Sequence, residues 1–284
     1  MLASESLRTL HIALDDIIYP ELRWKRRGKC EKVLLKGDNR TTRDLNIEML
    51  FTTMQSIAPF LKHIDITGYL HPFSLLPLAK FPCLRIVDLH KTIVDMRVLR
   101  ALSTLRGLED MTIDFGMPPG NIPRCDGFCS LLSLVVVGRA AGLAQLFTSI
   151  SPPKLDALYM TFSNDWIETT SGFRVCLESI RSASFSQSLG EISVTILPRW
   201  KTKDFLTDLI EPLLSLKMVD SVSLKLDESG YSVSTQDIEN MASAWPKLQK
   251  LVMRWMPASV PPPSSVSRAS RAIVPSLRSW FYRA

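Results

Sequence analysis

The chain has 284 residues, hydrophobic residues at 46%, a mean hydropathy of +0.10, a net charge of +6 and a pI near 9.1. That material suffices for an extended core and excludes a disordered polymer. The longest apolar run, Leu131 to Val137, fits a buried strand and falls far short of the roughly 18 residues of a membrane span, while the mild positive charge does not by itself mark a nucleic-acid binder.

The opening stretch MLASESLRTLHIAL is interrupted by Glu5, Arg8 and His11, with no basic lead-in and small-residue cleavage site, which predicts an intracellular protein, cytoplasmic or nuclear. Cys30, Cys83, Cys125, Cys129 and Cys176 are odd in number and scattered, which predicts reduced thiols rather than a secreted disulfide framework.

Leu7-Leu10-Ile12 starts a first strand pattern six residues after Met1. Its sheet edge and hydrophobic face would be bare, so a capping segment upstream is expected. The basic run Arg23 to Lys29 then reads best as a solvated loop between the first two strands, ahead of an import signal or a phosphate-contacting loop. Cys30-Val33-Leu35 supplies the second strand pattern. Thr41-x-x-Asp44 has the form of a capping box before a helix with Leu50, Phe51, Met54, Ile57 and Ala58 on one face.

From Leu61 the hexamer LxxLxL keeps step: Leu61-Ile64-Ile66, Leu84-Val87-Leu89, Leu108-Met111-Ile113, Leu131-Leu134-Val136 and Leu155-Leu158-Met160, with starts 23, 24, 23 and 24 residues apart. Looser copies follow at Leu189-Ile192-Val194, Val219-Val222-Leu224 and Leu248-Leu251-Met253. Asp95 precedes a helix with Val98, Leu99, Leu102 and Leu105 inward and Gly107 near its end. Thr202 precedes one with Phe205, Leu206, Leu209, Ile210 and Leu213 inward, kinked or ended by Pro212. Ser234-x-x-Asp237 opens a helix with Ile238, Met241, Ala242 and Trp245 inward.

Strand and helix thus alternate, which predicts an α/β leucine-rich-repeat solenoid of about ten repeats, with a parallel sheet on the concave face and helices on the convex face. Each strand offers about three aliphatic side chains worth roughly 1.5–3 kcal/mol apiece on burial, against an ordering cost on the order of 1–2 kcal/mol for every residue. A single repeat therefore cannot fold alone, and stacking supplies the core. The repeat domain is expected over residues 1–257. The segment 258–284, which includes Pro261-Pro262-Pro263-Ser264-Ser265, is expected to be a flexible tail in which Leu277-x-x-Trp280 begins a broken eleventh unit.

The strings Phe81-Pro82-Cys83-Leu84-Arg85-Ile86-Val87 and Ala244-Trp245-Pro246-Lys247-Leu248-Gln249-Lys250-Leu251, an aromatic, a proline and a short spacer before each strand, together with Ser4 to Leu10, resemble the leucine-rich-repeat region of F-box proteins of the fungal type. The resemblance spans roughly residues 1 to 257. It implies repeats that hold the substrate of a ubiquitin ligase, with a Skp-type adaptor as partner only if an F-box is encoded upstream, because no LPxEI-like helix precedes Leu7. The asparagine that regular repeats place three residues after the strand is replaced by Tyr69, Thr92, Gly116, Arg139 and Ser163.

No GxGxxG, GxxxxGK[ST] or GxSxG motif occurs, and no acid, base or nucleophile converges, so neither an enzyme nor a cofactor is expected. Cys125-x-x-x-Cys129 has loose zinc-ligand spacing without a second pair, and the two cysteines read as small core residues. No metal is expected. Because the first, fourth and sixth residues of each hexamer point inward, the third and fifth face the hollow: His63 and Asp65, Ile86 and Asp88, Asp110 and Thr112, Ser133 and Val135, Ala157 and Tyr159, Glu191 and Ser193. Asp65, Asp88 and Asp110 then form an acidic patch, with Ile86, Val135 and Tyr159 as apolar anchors, suited to a basic segment of a protein partner. Membrane and nucleic-acid partners are not expected. A truncated product without independent function is the competing reading, and a weak nucleic-acid binder through residues 23–29 a third.

Overall fold

The structure, a computed structural model, describes residues 7–14, 20–26, 29–34, 40–116, 124–162, 170–196, 204–227, 231–232 and 234–256. The chain is α/β. Its strands are β1 (Thr9–Leu14), β2 (Pro20–Arg26), β3 (Lys29–Leu34), β4 (His63–Thr67), β5 (Ile86–Val94), β6 (Asp110–Phe115), β7 (Ser133–Gly138), β8 (Ala157–Phe162), β9 (Glu191–Ile196), β10 (Asp204–Phe205), β11 (Ser221–Asp227), β12 (Tyr231–Ser232) and β13 (Lys250–Met256). The helices are α1 (Arg40–Ile57), α2 (Met96–Ser103), α3 (Ala140–Ser149), α4 (Thr170–Ser182), α5 (Leu206–Ile210) and α6 (Thr235–Ala244), joined by 3-10 turns at Pro72–Lys80, Ser184–Gln187 and Glu211–Ser215.

One sheet runs β13-β11-β9-β8-β7-β6-β5-β4-β1-β2-β3. The nine strands from β13 to β1 pair in parallel, whereas β2 and β3 form an antiparallel hairpin on the edge of β1. β10 and β12 make a separate short parallel pair. Strand after strand lies beside its predecessor because each coil repeats one hydrogen-bond junction. The N–H groups of Lys62 and His63 both donate to the Arg8 carbonyl, those of Arg85 and Ile86 to Lys62, and those of Glu109 and Asp110 to Arg85. The same pair of hydrogen bonds recurs at Leu132/Ser133, Asp156/Ala157, Gly190/Glu191, Asp220/Ser221 and Gln249/Lys250, without a break to the start of β13.

Just before most of these strands a turn fixes the entry. Leu84 N–H donates to Phe81, Leu131 to Phe128 and Leu248 to Trp245. Phe81, Phe128 and Trp245 are buried. The aromatic residue thus anchors the turn in the core, and a proline second in the turn, as in Pro82 and Pro246, has its φ already set for that position. The Trp245 indole N–H also donates to the Leu213 carbonyl, 3.0 Å away.

Inward strand residues meet the helical layer in one continuous core. Leu10, Ile64, Val87, Ile113, Leu134, Leu158, Ile192 and Val222 are buried, and so are Phe51, Leu99, Leu143, Leu177, Leu209 and Met241 from the helices. The helical segments pack in chain order: α1 on the turn at 72–80, that turn on α2, α3 on α4, and α4 on the turn at 211–215, which meets α6. Among the described residues, no helix is long and apolar enough to cross a membrane.

Several expectations require correction. Cys30-Val33-Leu35 does not start a parallel repeat: Lys29–Leu34 is the outer strand of the hairpin, so nine parallel strands replace the expected ten. A three-position apolar pattern is equally available to an antiparallel strand, and periodicity alone cannot separate the two. The edge of β1 is not bare, since β2 pairs along its whole length from Thr9↔Lys25 to Leu14↔Pro20, and Leu7, Leu10 and Ile12 are buried. Arg23 to Arg26 therefore lie in a strand and not in a solvated loop.

α1 begins at Arg40, so Thr41 lies inside the helix instead of capping it, and the Asp44 carboxylate accepts from the His71 N–H at 3.2 Å. In α6 the alanine that packs inward is Ala244, while Ala242 is exposed. Cys125 is buried but Cys129 is exposed. Asp95 caps α2 and Ser234 with Asp237 forms the capping box of α6. α5 ends at Ile210, and the 3-10 turn that follows begins at Glu211 with Pro212 in its first turn. Thr202 and the segment 258–284, with Leu277 and Trp280, lie outside the described residues.

Candidate functional site

Among the described residues, the helices pack on one face of the sheet and leave the other face open. In β4, β6, β7 and β8 every second residue is buried and its neighbours are half-buried. The register aligns these outward residues into rows that cross the strands. One row reads His11, Asp65, Asp88, Thr112, Val135, Tyr159, Ser193, Ser223 and Val252. The row before it reads Thr9, His63, Ile86, Asp110, Ser133, Ala157, Glu191, Ser221 and Lys250. Neighbouring strands are about 4.8 Å apart, so adjacent members of a row touch.

All six candidate site residues lie on this face. Asp65 stands directly opposite Asp88, and Ile86 opposite Asp110 one row away. Val135 stands opposite Tyr159. Thr112 joins the two groups, being paired to Asp88 on one side and Val135 on the other.

The acidic group is more elaborate than three carboxylates. A His11 Nδ1 to Asp65 contact of 2.8 Å and a His63 Nε2 to Asp88 contact of 3.0 Å bind β1, β4 and β5 together. The His11 and His63 rings meet edge to face at 5.4 Å. The hydrogen bond from His63 is the largest influence on Asp88 and, with a further one from Thr112, holds its carboxyl below the ordinary carboxylate value despite partial burial. Asp110 is affected in the opposite direction: burial, then the charges of Glu109 and Asp88, push its carboxyl up. Asp114 is also pushed up by burial, although the Lys91 N–H donates to it at 3.0 Å.

That donor exists because β5 is bulged. Pairing with β6 jumps from Leu89↔Ile113 to Ile93↔Asp114, and Lys91 takes a left-handed φ of 60°. Thr92 is buried within the bulge and its hydroxyl donates to the Gly68 carbonyl of the preceding coil. A threonine here ties one coil to the next. At the equivalent positions Tyr69 is exposed, and Gly116 donates its N–H to the Val94 carbonyl of the preceding coil, where a Cβ would come within 2.6 Å of Ile93.

Among the described residues, Tyr159 is the large ring in the middle of the face. Burial, followed by a hydrogen bond to Glu191, pushes its phenol up to about 12, so it stays a neutral donor. His11, His90, Asp114, Lys225 and Arg254 also belong to the open face by register and were missed in the sequence reading. A signal was present: His11 is the fifth residue of the Leu7 hexamer, and His90, Asp114, Lys225 and Arg254 each lie two residues after a hexamer's second outward position, just past the end of the six-residue template.

No protein-family model matches the chain, and no curated protein matches it.

Proposed function

We propose that this chain is a leucine-rich-repeat domain that binds a protein partner on the open, concave face of its sheet, without catalysis. What supports the repeat assignment is the double hydrogen-bond junction at the foot of each parallel strand of the large sheet from β4 to β13, which falls at the same point of each unit whatever its length. What carries the binding assignment is the row Asp65, Asp88, Thr112, Val135 and Tyr159, in which five successive strands present carboxylates and then apolar side chains. Rows of this kind offer a partner both charge and an aromatic anchor.

The resemblance to F-box proteins supports substrate recognition for a ubiquitin ligase as the corresponding biological role, with a Skp-type adaptor as partner only if an F-box is encoded upstream. Affinity purification of the endogenous protein tests that role: adaptor and cullin peptides together with upstream F-box peptides are the expected result, and a partner set without any of them overturns it. For the face itself, Asp88→Lys and Tyr159→Ala should each weaken binding of an identified partner at least about tenfold, and unchanged binding in both variants would remove the assignment.

A further inference from the structure

Charge on the open face is segregated by strand. Asp65, Asp88, Asp110 and Asp114 come from β4, β5 and β6, whereas Lys225, Lys250 and Arg254 come from β11 and β13, with Lys225 set directly opposite Arg254. Between them the outward positions of β7 and β8 are uncharged: Ser133, Val135, Val137, Ala157, Tyr159 and Thr161. Glu191 on β9 is engaged by Tyr159. Lys250 and Arg254 are exposed, and Lys225 is half-buried.

A uniformly basic ligand would be repelled at the β11 end, and a polyanion at the β4 to β6 end. The polarity selects a ligand that carries both signs, apart from each other and in one order. We propose that the open face takes an extended protein segment lying across the strands, with a cationic end over Asp88 and Asp110 and an anionic end over Lys225 and Arg254. The proposal rests on the reading of this face as a docking site and specifies its occupant.

Four strand spacings separate β6 from β11, about 19 Å at ~4.8 Å each, so the two charged ends of an extended chain stand roughly six residues apart at ~3.3 Å per residue. The uncharged floor between them is made of small side chains with one ring, which lets a main chain lie close and gives it one apolar contact at Tyr159. Asp65 and Asp88 already have His11 and His63 as partners. Asp110 and Asp114 sit where their charge is disfavoured, and an arriving cation relieves that.

The test uses the full chain and two fluorescein-labelled peptides of about twelve residues with identical composition. One carries lysines at one end and glutamates at the other around a Ser/Thr spacer, and the other alternates the same charges. Fluorescence anisotropy at low salt should show the segregated peptide binding at least about tenfold more tightly. Asp88→Lys with Asp110→Lys, or Lys225→Glu with Arg254→Glu, should each abolish that preference. Combining all four substitutions should restore it, because the peptide can then lie in the opposite direction.

Equal affinity for the two peptides, no binding of either, or a preference that survives either charge reversal would overturn the inference. Tyr159→Ala separates its failure from failure of the docking site. Loss of binding of both peptides in that variant, without a preference between them, overturns the polarity alone. Binding insensitive to Tyr159 and to every charge reversal overturns both.

Discussion

Single residues on the open face carry opposite electrostatic signs in the stability of the fold. Asp88 has its carboxyl lowered, first by the hydrogen bond from His63, so its contribution is present above the ordinary carboxylate range and is lost as pH falls through the lowered folded-state value. Asp110 and Asp114 are raised, chiefly by burial, so between the unfolded and folded values the native state holds the extra proton and gains stability as pH falls. Denaturant unfolding should therefore find Asp88→Ala less stable by about 1 kcal/mol at neutral pH, with the difference vanishing in acid. Asp110→Asn should be slightly more stable than the parent at neutral pH and equal to it in acid. At Lys91 the left-handed φ of 60° opposes a side chain, and Lys91→Gly should gain on the order of 1 kcal/mol. Spectrophotometric titration should place the Tyr159 phenol near its raised value of about 12, and Glu191→Gln should lower it, since the Glu191 hydrogen bond and charge both act upward.

At the level of elements, stability comes from inward residues and caps rather than from the face. Leu134 in β7 is fully buried, so Leu134→Ala should cost about 3 kcal/mol, while its half-buried outward neighbour Val135 should tolerate alanine at well under 1 kcal/mol. Ser234→Ala removes a capping box that the structure forms in full and should cost about 1 kcal/mol. Much of this was legible in the sequence. The hexamers from Leu61 to Met160 position β4 to β8 because a strand's two-residue alternation fixes which side chains go inward, and Asp95, Pro212 and Ser234 mark helix ends through local bonding that needs no tertiary context. The hairpin β2–β3 was not legible, because Cys30-Val33-Leu35 satisfies a parallel and an antiparallel strand alike. Nor was the β5 bulge, whose extra residues read as an ordinary continuation of LRIVDLHKTIV and acquire meaning only from Gly68 and Asp114 on neighbouring strands.

Across the whole molecule the same junction couples each coil only to its neighbours, so stability is approximately a sum of local units and interfaces. Leu248, Leu251 and Met253 at the β13 end are only partly buried, in contrast to the fully buried equivalents in β6 to β8. Hydrogen exchange should accordingly show the slowest amides in β6 to β8 and faster exchange in β13. The same stacking places Asp65, Asp88, Asp110 and Asp114 at one end of the face, an uncharged centre on β7 and β8, Glu191 beside Tyr159 on β9, and three cationic side chains at the other end, an order that no single coil contains. The acidic half was legible from the hexamer positions; the polarity was not, because Lys225 and Arg254 lie one residue past their hexamers and Lys250, although at a third position, falls in one of the loosest copies.

If this face, and not the helical side, meets the partner, site-specific photo-crosslinking in cells distinguishes the two, with benzoylphenylalanine at Thr112, between Asp88 and Val135 on the open face, and at Val175, exposed on α4. Discrete adducts at Thr112 that disappear with Tyr159→Ala, and none at Val175, are the predicted result. Adducts at Val175 with none at Thr112 would contradict it.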